Sequence, residues 1–325
     1  MLDEQKILAC ARRVFAIESQ AIHALGNMLD DQFVRAIQLI LECRGRIIVT
    51  GIGKSGVIGQ KMSATFSSTG TPSFFLHPAE AIHGDLGMVT RDDMVICLSK
   101  SGNTNEISAI IPTLKKIGVP IITLTGNLRS SLAERSDVVL NVCVENEACP
   151  NDLAPTASTV AMLAMGDALA VALLEQRGFQ KEDFAFFHPG GSLGRQFVTI
   201  DEIMFTGSRI PLVPLDAGLQ QIISEISTKR LGGTCVVEDS GILAGIITDG
   251  DMRRLWSQPV NIDKLTAKDI MNADPKTIET GALATQAFKI LDQHNIMQII
   301  VVDVKKKPIG MIHLHDLLDA GIGSR

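Results

Sequence analysis

A chain of 325 residues is long enough for two domains, each with its own core, and 46% apolar with 20% charged residues marks it as globular rather than disordered. A formal net charge of −6 at pH 7, with no basic stripe, argues against a nucleic-acid partner. Six cysteines (Cys10, Cys43, Cys97, Cys143, Cys149 and Cys235) include no C-x-x-C pair, as expected of reduced thiols in a cytoplasmic protein. The charged start Met1-Leu-Asp-Glu-Gln-Lys lacks the apolar core of a signal peptide. The most apolar helix, around 160–174, reads as interrupted by Gly166-Asp167 and too short to span a bilayer, so no membrane association is expected.

The first predicted elements are two helices within residues 1–45. Ile7, Val14, Ile17, Ala21 and Leu25, then Phe33, Ile37, Ile40 and Leu41, recur at helical spacing, and Asp30-Asp31 separates the two runs. Strands are predicted at 46–50, 73–76, 94–98, 120–125 and 137–142, with helices near 57–68, 105–117 and 129–135. A long helix at about 157–177 follows, then a loop carrying His188-Pro-Gly-Gly191. Such alternation predicts an α/β domain over 46–199, with a doubly wound, five-stranded parallel sheet and crossover helices.

From about residue 200 an internal repeat appears. Asp201-Glu-Ile-Met204 recurs as Lys268-Asp-Ile-Met271, and Gly245-Ile-Ile-Thr-Asp-Gly-Asp251 recurs as Gly310-Met-Ile-His-Leu-His-Asp316. Two copies of one small α+β unit, at 200–260 and 261–325, follow from these offsets. Each copy should carry a helix (about 216–228 and 281–294), two short strands and a final helix.

Residues 46–56, Arg-Ile-Ile-Val-Thr-Gly-Ile-Gly-Lys-Ser-Gly, run a buried strand into a glycine-rich turn with one lysine and one hydroxyl. That arrangement presents backbone N–H groups and a helix start to a phosphate. A second such place follows the strand 94–98, in Ser99-Lys-Ser-Gly-Asn-Thr104. Polar loops at the carboxyl ends of two strands lie where open α/β sheets bind ligands, and a small phosphorylated molecule is the expected one. Gly51, Gly53 and Gly56 also fit G-x-G-x-x-G, but a dinucleotide site wants an acid at the tip of the second strand, and His77-Pro78 stands there. A Walker loop fails because Ile48 occupies its first glycine position.

Four further residues suit a sheet-top cleft: Lys54, Glu106, Glu147 and His188. Each has a plain alternative: a solvated lysine, a dipole-favoured acid in a first helical turn, a surface acid, and a packed histidine. His83 in Ala-Ile-His83-Gly-Asp calls for the same caution. Together, beside a sugar phosphate, they suit proton abstraction next to a carbonyl. A carboxylate or imidazole moves the proton while a cation or hydrogen-bond donor stabilises the enediolate. No redox cofactor and no metal is needed.

At this point the chain closely resembles the D-arabinose 5-phosphate isomerases over nearly its whole length. The specific segments are Gly-Ile-Gly-Lys54-Ser-Gly, Ser-Thr-Gly-Thr-Pro72, His83-Gly-Asp-Leu-Gly-Met88, Glu147-Ala-Cys-Pro150, Leu-Ala-Pro-Thr156 and His188-Pro-Gly-Gly191. The resemblance implies a sugar isomerase (SIS) domain of flavodoxin-like architecture followed by a tandem CBS pair. It implies interconversion of D-ribulose 5-phosphate and D-arabinose 5-phosphate through an enediol, supplying 3-deoxy-D-manno-octulosonate (Kdo) for lipopolysaccharide or capsule. It also implies a homotetramer in which His188 reaches a neighbouring subunit's cleft. Lys54, Glu106, Glu147 and His188 become the expected catalytic set, with Glu147 or His188 favoured for the proton transfer. Gly53, Ser55, Gly70, Thr71, His83, Ser99, Ser101, Asn103 and Thr104 become the expected substrate contacts. Lys100 between the two serines departs from the family pattern and is expected to add a cation near the phosphate.

Rival readings are an isomerase of another sugar phosphate and a non-catalytic sugar-phosphate sensor; the latter would need a DNA-binding module, which the first 45 residues do not suggest. His77 and His83 could capture inhibitory zinc. In the CBS pair, Thr248, Asp251 and Asp316 are the expected contacts for an adenine nucleotide or CMP-Kdo, with His313 standing where the second hydroxyl should be. A dimerisation module without ligand is the alternative.

Overall fold

The structure is a computed structural model that describes residues 3–257 and 262–323. By packing it divides into two compact units, Met1–Phe187 and His188–Arg325. The expected junction between the two repeats, at 260/261, lies outside the described residues.

The first unit opens with α1 (Glu4–Met28) and α2 (Asp31–Glu42). Asp30 separates them because its carboxylate accepts from the Gln32 N–H and so caps the second helix. There follow β1 (Ile47–Gly51), α3 (Gly53–Ser68), β2 (Ser73–Phe75), α4 (Pro78–Ile82), β3 (Met94–Leu98), α5 (Asn105–Ile117), β4 (Ile121–Thr125), α6 (Ser131–Glu134), β5 (Val138–Asn141), α7 (Ala157–Gln176) and α8 (Lys181–Phe187). The sheet is parallel throughout, in the order β2-β1-β3-β4-β5. Every residue of β1, β3 and β4 is buried, which is why these strands read as unbroken apolar runs. Ile47 and Val49 face one core with Met62, Phe66 and Met165, while Ile48 faces the other with Ile107, Ile110 and Leu114. The sheet is therefore covered on both faces.

Three local expectations are corrected. The helix after β1 begins at Gly53 rather than 57, because Gly53 takes a φ of +57° and turns the chain at once. Helix α8 occupies a stretch expected to be loop. Helix α7 runs unbroken through Gly166-Asp167 and is long and apolar enough to cross a membrane. One glycine costs a helix only about 1 kcal/mol, and here it makes room for Met62: a Cβ on Gly166 would lie 2.4 Å from Met62 Cε, so that side chain would have to move. Ala161, Met162, Met165, Leu169 and Leu173 of this helix are buried in the core, and Asp167 pairs with Lys61.

The second unit contains β6 (Phe205–Thr206), β7 (Leu212–Pro214), α9 (Leu219–Lys229), β8 (Gly233–Val237), β9 (Leu243–Thr248), α10 (Asp249–Trp256), α11 (Ala267–Ile270), β10 (Thr277–Glu279), α12 (Ala284–His294), β11 (Gln298–Val302), β12 (Pro308–His313) and α13 (Leu314–Asp319). Its sheets are β7-β8-β9 and β10-β11-β12-β6. The repeats exchange their leading segments: β6 pairs with β12, and Ile200, Ile203 and Met204 pack in the second copy's core. Reciprocally, Asn272 bridges Ile246 in β9, and Ala267, Ile270 and Met271 pack in the first copy's core. Neither 200–260 nor 261–325 closes its core alone.

Candidate active site

In the strand order 2-1-3-4-5 the chain winds one way from β1 to β2 and the other way from β1 to β3. The carboxyl ends of β1 and β3 meet at this switch point, which is where open α/β sheets bind ligands. Gly51 pairs in register with Leu98, so the turn at Gly53 and the loop Ser99–Thr104 leave the sheet at one level. Lys54 and Ser55 lie in the first turn of α3, Lys54 exposed and Ser55 half-buried. Gly56 lets that helix approach the strand: a Cβ there would lie 2.8 Å from the Gly51 carbonyl. The second loop feeds α5, whose second residue is the half-buried Glu106. Neither α3 nor α5 has a side-chain cap, so the positive ends of both helices are open to water or to an anionic ligand.

The second loop is held from within. Ser99 is buried, and its hydroxyl accepts from the Gly102 N–H at 3.0 Å and bonds the Thr104 hydroxyl at 2.8 Å. The Ser101 hydroxyl accepts from the Asn103 backbone N–H, and the Asn103 side-chain Oδ1 accepts from Ser131 N–H at 3.1 Å. Gly102 has a φ of +65°, and a Cβ there would stand 1.9 Å from Ser130 Oγ. This glycine, which the sequence reading does not single out, sets the loop's tight path.

Glu147 lies beyond β5 and reaches the same edge. It is 3% exposed, and Lys100 Nζ donates to its Oε1 at 2.7 Å. Ser158 Oγ also donates to Oε1, while Oε2 accepts from Thr156 N–H (2.8 Å), Thr156 Oγ1 (3.1 Å) and Ser158 N–H (3.1 Å). Glu147 thus caps α7 from a distance. Burial alone would raise its pKa, but Lys100, Ser158 and the backbone N–H groups of Thr156 and Ser158 outweigh burial and hold it at about 2. A surface acid is excluded. A carboxylate so fully supplied with donors is a weak base in this arrangement. Thr156 and Ser158 escape the sequence reading; Leu-Ala-Pro-Thr156 is legible only as a segment, because its partner Glu147 lies nine residues away.

Other expected residues fall elsewhere. Gly70 and Thr71 precede β2, at the amino end of the strand beside β1, whereas the two loops leave the carboxyl ends. The 16-residue α3 separates them from Lys54, about 24 Å at 1.5 Å per residue. The Gly70 carbonyl and Thr71 hydroxyl accept from Arg177, and Phe179 packs on Gly70. Within one chain they serve that packing, not the cleft. His77 and His83 flank the five-residue α4 at the carboxyl side of β2, both exposed, and His77 Nδ1 accepts from Ala79 N–H. Among the described residues no group of three or more His, Cys, Asp or Glu side chains could hold a metal ion. His188 opens the second unit, half-buried in a turn closed by Gly191 N–H on its own carbonyl.

In the second unit a cavity of about 580 Å³ is lined by Thr248, Asp251, Arg253, Lys276, His294 and His313, among others. Thr248 and Asp251 bond each other at 2.6 Å in a capping box at the start of α10. The Asp316 carboxylate accepts from His313 N–H, the counterpart of the Asp251 bond to Thr248 N–H.

A switch-point phosphate site followed by two exchanged repeats defines a sugar isomerase domain joined to a CBS pair. The SIS domain model matches residues 40–172, and the CBS domain model matches 200–257 and 267–323. The chain is 46% identical to the arabinose 5-phosphate isomerase KdsD of Pseudomonas aeruginosa over 96% of both chains. It is 47% identical to KdsD of Escherichia coli K12, over 96% of this chain and 95% of the other. It therefore belongs to the KdsD family of arabinose 5-phosphate isomerases. A solved structure, the c3406 protein of E. coli CFT073 in complex with arabinose 5-phosphate, matches 58% of this chain and all of its own at 41% identity, with a TM-score of 0.57.

Proposed function

We propose that this protein interconverts D-ribulose 5-phosphate and D-arabinose 5-phosphate, the latter feeding Kdo biosynthesis. The observation that carries this reading is one sheet edge that joins two phosphate-reading loops to Lys54, Glu106 and Glu147, in a chain alike end to end with arabinose 5-phosphate isomerases. That the c3406 structure, solved with arabinose 5-phosphate, matches 58% of this chain supports a substrate site within the SIS portion.

The 5-phosphate is held by Ser55, Ser99, Ser101, Asn103 and Thr104 together with the N–H groups of the α3 and α5 starts, and His83 borders the sugar. From aldose to ketose a base removes the proton from C2 and the carbonyl electrons pass to O1; the O2 proton then transfers to O1, the electrons return to form C2=O, and C1 takes up a proton. Lys54 stabilises the enediolate oxygen. The proton is moved by Glu106 or His188, His188 resting on family resemblance alone. Glu147 acts as a fixed anion that orients a cation or donor beside the sugar. No metal is required, so a chelator should leave the rate unchanged. Incubation with D-arabinose 5-phosphate should yield ribulose 5-phosphate; absence of product at micromolar enzyme refutes the reading.

The assembly is a cytoplasmic homotetramer, for which α1 offers a face: Ile7, Leu8, Phe15 and Ile22 are all exposed. Light scattering tests it. The second-unit cavity, with Arg253, Lys276 and His294 in its lining, suits an anionic effector such as an adenine nucleotide or CMP-Kdo. Isothermal titration with each tests that.

A further inference from the structure

The phosphate is the expected partner of Lys100, yet its ammonium lies on Glu147. Its backbone cannot follow a ligand outward: the Lys100 carbonyl accepts from Gly126 N–H at 3.0 Å and from Thr125 Oγ1 at 3.3 Å, fixing it to the end of β4. Only the side chain has freedom, and it is 49% exposed while the carboxylate it meets is 1% exposed. The other donors to Glu147 come from the start of α7, at Thr156 and Ser158. Two more bonds close that segment on itself: Glu147 N–H donates to Asp152 Oδ1, and Ala148 N–H to Thr156 Oγ1. Lys100 is the donor that comes from the phosphate loop.

The consequence is electrostatic. A sugar phosphate entering beside Ser99 and Ser101 brings close to two negative charges toward a buried carboxylate. Like charges favour protonation of Glu147 and push its loop away. A cation between them offsets both effects, and in this sequence that cation sits within the phosphate loop itself.

We propose that Lys100 is a positioning residue for the isomerisation: it keeps Glu147 ionised and fixed against the phosphate loop while a dianionic substrate occupies that loop. The proposal rests on the isomerase reading for its kinetic consequence, but the ionic tie can be read without turnover.

The test compares the full-length protein with Lys100→Met and Lys100→Arg. For Lys100→Met, kcat should fall at least about tenfold with KM changed less than about threefold, the pattern of a group that acts in the transition state. The acid limb of its pH–rate profile should move to higher pH, and Lys100→Arg should restore both. If KM rises instead with kcat unchanged, Lys100 is a phosphate contact and the proposal fails. Unchanged kinetics in Lys100→Met would also overturn it. The readout without activity is thermal unfolding: the Tm deficit of Lys100→Met against wild type should be present at pH 7 and shrink as pH falls below about 4.5, the ordinary carboxylate value. A deficit independent of pH would mean the pair is not ionic. Wild type lacking isomerase activity while the Tm deficit shrinks with pH would sink the isomerase reading and leave the tie standing.

Discussion

Helices facing the crevice in the first unit and helices bordering the cavity in the second begin in opposite ways. Helices α3 and α5 start without a side-chain cap, and Thr104 at the start of α5 turns its hydroxyl toward Ser99 instead. Helices α10 and α13 start with capping boxes, Thr248 with Asp251 and His313 with Asp316. Uncapped N–H groups are donors in want of an anion; capped ones are already satisfied. The difference teaches how to weigh a Thr/Asp signature. In the second unit Thr248 and Asp251 have a structural role whether or not a nucleotide binds, whereas the N–H groups at the bare helix starts of the first unit stay open to water or to an anion.

The largest effect should come from Glu147→Gln, which removes the fixed charge but keeps the shape. Loss of one preorganised electrostatic partner in an active site costs about 10²–10³ in kcat, measurable by coupled assay. Stability should respond with a definite sign. Glu147 has its folded pKa depressed, from 4.5 to about 2, so its contribution is present above pH 4.5 and is lost as pH falls toward 2. The Tm gap between wild type and Glu147→Gln should therefore be constant from neutral pH to about pH 5 and close below. A gap that widens on acidification would contradict the assignment.

Ser99→Ala strikes the uncapped side of the comparison. It removes the acceptor for Gly102 N–H and the partner of Thr104. KM for the sugar phosphate should rise about tenfold, equivalent to one charge-assisted hydrogen bond of roughly 1.4 kcal/mol, and inhibition by inorganic phosphate should weaken in proportion. Equal loss of affinity for the unphosphorylated sugar would show that the loop does not read phosphate.

How much of this is legible in the sequence follows from where the information resides. The strands, the switch-point loops and the repeat are readable because burial on both faces leaves continuous apolar runs, and glycines mark forced turns. Lys100 on Glu147, and Glu147 on Thr156 and Ser158, are not, since pairing between loops depends on strand register rather than local spacing. Gly70 and Thr71 show a further limit of local reading: a segment that matches the family reads as site, while its place before β2 puts it at the amino end of the sheet within one chain. The exchange of β6 into the second copy's sheet is hidden for the same reason as the loop pairings, because the repeat in sequence and the repeat in space are offset.

On the capped side, Thr248→Val should cost about 1 kcal/mol of stability through loss of the N-cap, seen in the unfolding of the second unit with no ligand present. The same variant separates the two roles. If an adenine nucleotide raises the Tm of wild type and not of Thr248→Val, the residue has a ligand role beyond its cap. If neither responds, the cap is all it provides.

The smallest effects compare one buried threonine in each sheet. Thr50 in β1 and Thr234 in β8 are both fully buried. Thr234 donates to the Cys235 carbonyl at 3.4 Å, whereas Thr50 Oγ1 has no partner and is, among the described residues, the buried side-chain polar atom left unsatisfied. An unpaired buried hydroxyl carries its desolvation cost without return, about 1 kcal/mol or more. Thr50→Val should therefore raise stability by up to about 1 kcal/mol in urea unfolding, and Thr234→Val should lower it by a similar or smaller amount. The opposite signs are the point of the comparison, because the two substitutions are chemically identical and both sites are closed to solvent. If Thr50→Val destabilises by more than about 1 kcal/mol, the hydroxyl has a partner after all. Its position immediately before Gly51, where β1 opens into the phosphate crevice, makes an ordered water at the foot of that crevice the group to look for.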